Sequence, residues 1–160
     1  MNLDVIRRPF EPLLRRVLHL YWRHSRGLTL GVRGLVFDAQ GRVFLIKHSY
    51  VAGWHLPGGG VEPGEALAAA LERELHEEGN IELIGAPELF GIYWNRRATQ
   101  RDHVALYVVR AFRQSAPPRP NSEIIAHGFF VPHALPAGTT NSTRTRIAEV
   151  REGRAPDAIW

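Results

Sequence analysis

The sequence predicts one domain of α/β (α+β) class, and three observations predict it. Short runs rich in β-branched and aromatic residues recur along the chain, an alanine-rich segment without helix breakers lies near its middle, and a glycine-rich stretch precedes that segment. With 160 residues, 44% of them hydrophobic, there is material for one ordinary core and too little for two.

Residues 10–24 place Leu13, Leu14, Val17, Leu18, Tyr21 and Trp22 at three- and four-residue spacings with arginines between them, the pattern of an amphipathic helix. Residues 1–26 are therefore expected to form a helical extension to a core spanning 27–160. That helix packs on the domain or on a second subunit, which leaves a homodimer open. Residues 28–37 read as a strand, 38–41 as a turn and 42–48 as a second strand, so a hairpin is expected. Residues 49–64 hold five glycines and two prolines, too many for a regular element, and form a loop. A helix follows over 65–78: it starts with an acid, runs through three consecutive alanines and contains no breaker. Gly79 and Asn80 stop it, because both tolerate the left-handed conformation common just past a helix end. Strands are expected at 81–84, 89–94 and 104–112, with a polar loop at 95–103. Residues 115–122 are proline-rich and irregular, 124–131 form a last strand and 143–151 a short C-terminal helix.

Twenty Lys and Arg against 16 Asp and Glu give a formal charge of +4, which suits a phosphate-bearing partner but is ordinary for a chain of this size. The arginines are scattered from Arg7 to Arg154 rather than gathered into a stripe, so stable nucleic-acid binding is not expected. The absence of cysteine excludes disulfides, thiolate metal sites and a cysteine nucleophile, and any metal must take oxygen or imidazole ligands. The longest strongly apolar run, residues 104–109, is far short of a membrane span, and the N-terminus is too charged for a secretory signal. A cytoplasmic location without membrane association is expected.

Glu74, Glu77 and Glu78 stand at positions i, i+3 and i+4 of the expected helix, so their side chains fall on one face within a single turn. Three carboxylates so close repel one another unless a cation sits among them. The neighbouring stripe of Ala68, Leu71 and Leu75 is expected to seat the helix on a sheet. Oxygen clusters of this kind suit Mg²⁺ or Mn²⁺, ions that neutralise phosphate oxygens and activate an attacking water. A bare run of this type is more often a solvated acidic face. Here, however, it lies at a set distance from the glycine loop: Gly59, five residues, Glu65, seven residues, Arg73, Glu74, Leu75, one residue, Glu77, Glu78, two residues, Ile81.

That spacing resembles the Nudix box, with one departure: the pattern's second glycine is Asn80 here, and Gly79 stands one place earlier. The order of hairpin, glycine loop, helix and later strands over roughly residues 28–150 is similar to the family's α/β/α sandwich around a central mixed sheet. The resemblance implies Mg²⁺- or Mn²⁺-dependent hydrolysis of a diphosphate linkage in a small nucleotide or nucleoside diphosphate derivative. It implies Glu74, Glu77 and Glu78 as metal ligands, joined by the backbone carbonyl of Gly58, and Arg73 as the arginine that orients a catalytic glutamate. The family's general base varies: it lies within the box, where Glu77 and Glu78 are candidates, or in a loop near a late strand, where Glu123 is the candidate. Glu65 is either a favourable N-terminal acid of the helix or a participant in the chemistry. His103 and His127 read as structural or solvent-facing.

Substrate recognition is expected from Lys47, Arg96, Arg97 and Arg101 on phosphates, from Tyr50, Trp54, Tyr93 and Trp94 on a base, and from Gly59. Several of those aromatics also fit a core. No further motif names the substrate, and action on the 5′ end of RNA stays within the hydrolase reading. Isopentenyl-diphosphate isomerase shares the fold but is associated with a cysteine that this chain lacks. The remaining alternative is a non-catalytic nucleotide-binding or regulatory Nudix module.

Overall fold

The computed structural model describes Arg15, Arg16, Leu18, Tyr21, residues 27–118 and residues 122–160. The helix expected over 10–24 lies outside the described residues apart from those four, which are helical. Seven strands and two helices follow in the order β1 (Thr29–Val36), β2 (Val43–His48), α1 (Leu67–Gly79), β3 (Glu82–Leu83), β4 (Glu88–Trp94), β5 (Asp102–Val109), β6 (Phe112–Arg113), β7 (Ile124–Phe130) and α2 (Asn141–Glu152).

Parallel pairing of β1 with β5 and antiparallel pairing of β4 with β5 make a mixed sheet in the order β1-β5-β4, while β2 pairs antiparallel with β7 and β3 with β6. The expected hairpin of β1 and β2 forms only at its tip, where Phe37 bridges Val43 and Asp38 Oδ1 accepts from the Gln40 and Arg42 amides. Beyond the tip, the edge of β1 away from β5 is taken by the glycine loop: Val32 N donates to Gly59 O, Gly34 N to Pro57 O and Val61 N to Leu30 O. The same loop reaches β2 through the paired amides and carbonyls of Ile46 and His55. Loop residues 55–61 thus form a seam between the two sheets, and the backbone groups that a hairpin would have used are spent there.

Alternation along the strands divides the core into two layers. Val32, Val36, Phe44 and Ile46 face one way and bury Ala70, Leu71 and Leu75 of α1 beneath them. Leu35, Val43, Leu45 and Leu106 face the other way and meet Ile147 of α2. The result is the expected α/β/α sandwich, although the seating stripe of α1 is shifted from the expected one, because Ala68 is exposed and Ala70 buried. The long run expected at 104–112 breaks after Val109, and Phe112 and Arg113 turn aside to pair with Leu83 and Glu82. Among the described residues, no helix is long and apolar enough to cross a membrane.

Candidate active site

The C-terminal half of α1, the glycine seam, the end of β2 and the start of β7 converge on one cluster of ionisable groups. Helix α1 stops at Asn80, whose left-handed backbone (φ 49°, ψ 40°) lets its amide return to His76 O. The box pattern's second glycine falls at this left-handed position, and asparagine is the side chain that tolerates it best after glycine. The departure from the pattern therefore leaves the turn intact.

Gly58 is the pivot of the cluster. Its amide donates to Glu78 Oε2 at 2.6 Å, and its carbonyl accepts from the Arg33 guanidinium, which also donates to Leu56 O at 3.0 Å. Its φ of +136° lies where side chains are rarely tolerated, and a Cβ there would stand 2.1 Å from Val32 O. The neighbouring Gly59 has no room either, since a Cβ would come 2.4 Å from Glu74 Oε1.

Glu78 is 6% exposed, and burial pushes its carboxyl up to about 8, against the opposing pull of the Gly58 amide and Arg33. Glu74 and Glu123 push it further the same way. Beside it, His48 places Nε2 3.6 Å from Glu78 Oε1 and Nδ1 3.9 Å from Glu123 Oε1. Burial and then Arg33 lower the proton affinity of this imidazole. Glu123 is held by the Tyr50 hydroxyl, which donates to its Oε1 at 2.6 Å, and that bond is the main reason the phenol is raised to about 12. Ser49 ties the two segments together, donating from its amide to Glu123 O and from its hydroxyl to Ser122 O.

Arg73 clamps the outer side. It donates to both oxygens of Glu65 at 3.0 Å, to Glu74 Oε1 at 2.6 Å and to Gly60 O at 3.0 Å, which raises its own proton affinity, Glu65 first. Glu65 also accepts from the Glu62 amide, so it braces Arg73 and the seam rather than sitting inside the first turn of α1.

Of the residues expected from the sequence, Glu74, Glu78, Gly58, Gly59, Arg73 and Glu123 are brought together. Glu77 is exposed at the rim, 3.7 Å from Arg73. Lys47 is half-buried on the face of β2 opposite His48. Trp54 is half-buried with its ring edge-on to Phe130 at 4.9 Å, a packing role. Arg96 and Arg97 are exposed in the turn after β4, two strands from the seam. Tyr93 is fully buried, its hydroxyl on Glu149, and so belongs to the core. His127 is half-buried against Phe44, and His103 is half-buried on β5.

Arg33 and His48 did not stand out in the sequence. Both carried a signal, however: an arginine amid the apolar residues of β1, and a histidine sharing the alternation of Phe44 and Ile46. The atoms that can hold a cation are the carboxylates of Glu74, Glu78 and Glu123, the Gly58 carbonyl and the His48 imidazole. One donor atom each from His48, Glu78 and Glu123 lie within 4.8 Å of one another.

Residues 27–150 match the model of the NUDIX domain. A MutT-like protein of Streptomyces ambofaciens is 30% identical over 128 residues, 80% of each chain. An RNA pyrophosphohydrolase of Legionella pneumophila is 37% identical over 65 residues, and the match spans only 37% of that protein. Among solved structures, a MutT NUDIX hydrolase from Burkholderia pseudomallei superposes with a TM-score of 0.65 at 28% identity, over 76% of this chain and 97% of that one. An ADP-ribose pyrophosphatase from Streptococcus suis, at 22% identity and a TM-score of 0.59 over 77% and 91% of the two chains, shares the fold. With the box residues converging on one cluster and the family model matching across the core, the chain belongs to the Nudix hydrolase family.

Proposed function

We propose that the chain is a divalent-metal-dependent pyrophosphohydrolase acting on a diphosphate linkage in a small nucleotide or nucleoside diphosphate derivative. Glu78 is the observation that carries this reading. A carboxylate buried to this depth costs several kcal/mol unless a cation accompanies it, and Arg33, the cation that pulls on it among the described residues, is engaged with two carbonyls. The donor set fits a hard divalent ion, since Glu74, Glu78 and Glu123 supply carboxylates and the Gly58 carbonyl keeps a second lone pair beside the one Arg33 uses. When bound, Mg²⁺ or Mn²⁺ supplies charge neutralisation at the phosphates and acidifies an attacking water.

The chain's own residues do the rest. The Gly58 amide fixes Glu78 through Oε2 and leaves Oε1 turned towards His48. Arg73, itself braced by Glu65, holds Glu74 in place, and Glu77 adds negative charge at the rim. Glu123, oriented by Tyr50, accepts the proton of the attacking water. The bare Cα of Gly59 lets the Glu74 carboxylate lie against the seam. Residues 27–160 carry this activity, with residues 1–26 as an extension. The names of the relatives, two of them pyrophosphohydrolase or pyrophosphatase, support the reading.

The test is a panel of nucleoside triphosphates, nucleotide sugars, ADP-ribose, dinucleoside polyphosphates and 5′-triphosphorylated RNA, each with Mg²⁺, Mn²⁺ or EDTA and the products resolved by chromatography. Turnover that EDTA abolishes is expected for one class. A folded, metal-binding protein inert towards all of them would favour a non-catalytic nucleotide-binding role.

A further inference from the structure

His48 is the buried group in the cluster that the mechanism does not use. Its side chain is only 7% exposed, its Nδ1 has no hydrogen-bond partner, and it lies between two carboxylates without reaching either: Nε2 stands 3.6 Å from Glu78 and Nδ1 3.9 Å from Glu123. A histidine kept for packing has its ring nitrogens satisfied by carbonyls or carboxylates at hydrogen-bond length. The 3.6 Å separation of Nε2 from Glu78 suits a different partner. Donors around one divalent ion, with bonds of about 2.1 Å, stand about 3.0 to 4.2 Å apart. One donor atom each from His48, Glu78 and Glu123 lie within 4.8 Å of one another, so a single nitrogen of the ring can share an ion with both carboxylates.

The group is held rather than accidental. Glu78 is pinned by the Gly58 amide, Glu123 by the Tyr50 hydroxyl, and the Tyr50 ring lies 5.0 Å from the imidazole. Strand alternation in β2 turns His48 inward, and the register shift between Lys47 and His48 opposite β7 brings Glu123, just before Ile124, to the same end.

We propose that His48 is a nitrogen ligand to a divalent ion held jointly with Glu78 and Glu123, and that this imidazole biases the site towards first-row transition ions such as Mn²⁺ or Co²⁺ over Mg²⁺. The inference rests on the metal-dependent reading above but not on its substrate. Imidazole binds transition ions well and adds little for Mg²⁺, which prefers oxygen and water. Ligation takes one oxygen of Glu123, and the proton-accepting role uses the other.

Pulsed electron paramagnetic resonance on the full chain loaded with Mn²⁺ alone reads nitrogen coordination directly. Nitrogen modulation is expected in the wild type, with the pattern changed by ¹⁵N-histidine labelling, retained in His55→Gln and lost in His48→Gln. Calorimetry should show Mn²⁺ binding weakened at least about tenfold in His48→Gln, with Mg²⁺ binding altered less than about threefold. Absence of nitrogen modulation in the wild type, or its loss in His55→Gln with retention in His48→Gln, overturns the assignment; the wild-type and labelling results decide even if His48→Gln folds poorly. Mn²⁺-dependent turnover without nitrogen modulation removes His48 and leaves the hydrolase standing, whereas nitrogen modulation without turnover on any nucleotide supports His48 and counts against the hydrolase.

Discussion

Glu78→Gln separates what the buried carboxylate costs the fold from what it contributes to chemistry. Glutamine matches glutamate in shape, and its amide oxygen can still accept from the Gly58 amide. In the metal-free protein the Glu78 carboxyl is raised from 4.5 to about 8, mainly by burial. A folded value above the unfolded one means that stability is complete below about pH 4.5 and is lost as pH rises through about 8. The shift of about 3.5 corresponds to an upper limit of about 4 kcal/mol lost between pH 5 and pH 9, or about half that after local relaxation. Urea denaturation in EDTA at pH 5, 7 and 9 is the assay. The wild type is expected to lose stability across that range, Glu78→Gln to lose markedly less, and saturating Mn²⁺ to restore the wild type at pH 9 but not the variant. Equal pH profiles for the two metal-free proteins would refute the burial argument, because the carboxylate would then be ionising freely in the fold.

Gly58→Ala, with its Cβ 2.1 Å from Val32 O at a φ of +136°, should cost about 3 kcal/mol or more and lower the melting temperature by about 10 °C by calorimetry; a near-neutral change would mean that the seam can shift. Arg73→Ala frees Glu65 and Glu74 together, so kcat/KM should fall about 10- to 100-fold, whereas Glu65→Gln should fall less because Arg73 keeps Glu74. Glu123→Gln should lower kcat by about 10²- to 10⁴-fold with the fold retained, and an unchanged kcat would place the proton acceptor elsewhere.

The box was readable because its chemistry fixes residue types at set spacings along one helix and one loop. Glycines at 58 and 59 are demanded by contacts with Val32 and Glu74, and those demands leave a mark in sequence. The three glutamates were expected to share one face, yet Glu78 is buried, Glu74 is clamped and Glu77 is exposed, because the seam covers only part of that face. The pairing of β1 with β5 rather than β2 was not readable, since local pattern marks a turn at Asp38 but not which partner wins the strand edges beyond it. Arg33 and His48 escaped for the same reason: each matters through neighbours more than 20 residues away. Trp54 and Tyr93 carried no local sign of whether they would stack on a ligand or on Phe130 and Glu149.

The most direct measurement takes whichever substrate class turns over and follows kcat/KM against Mn²⁺ and Mg²⁺ concentration for the wild type, Glu74→Gln and Glu78→Gln. Saturable metal activation in the wild type, its loss with EDTA and a drop of about 10²-fold or more in each variant with the fold retained are the expected results. Turnover independent of added metal, or either variant matching the wild type, would contradict a metal-dependent hydrolase built on α1.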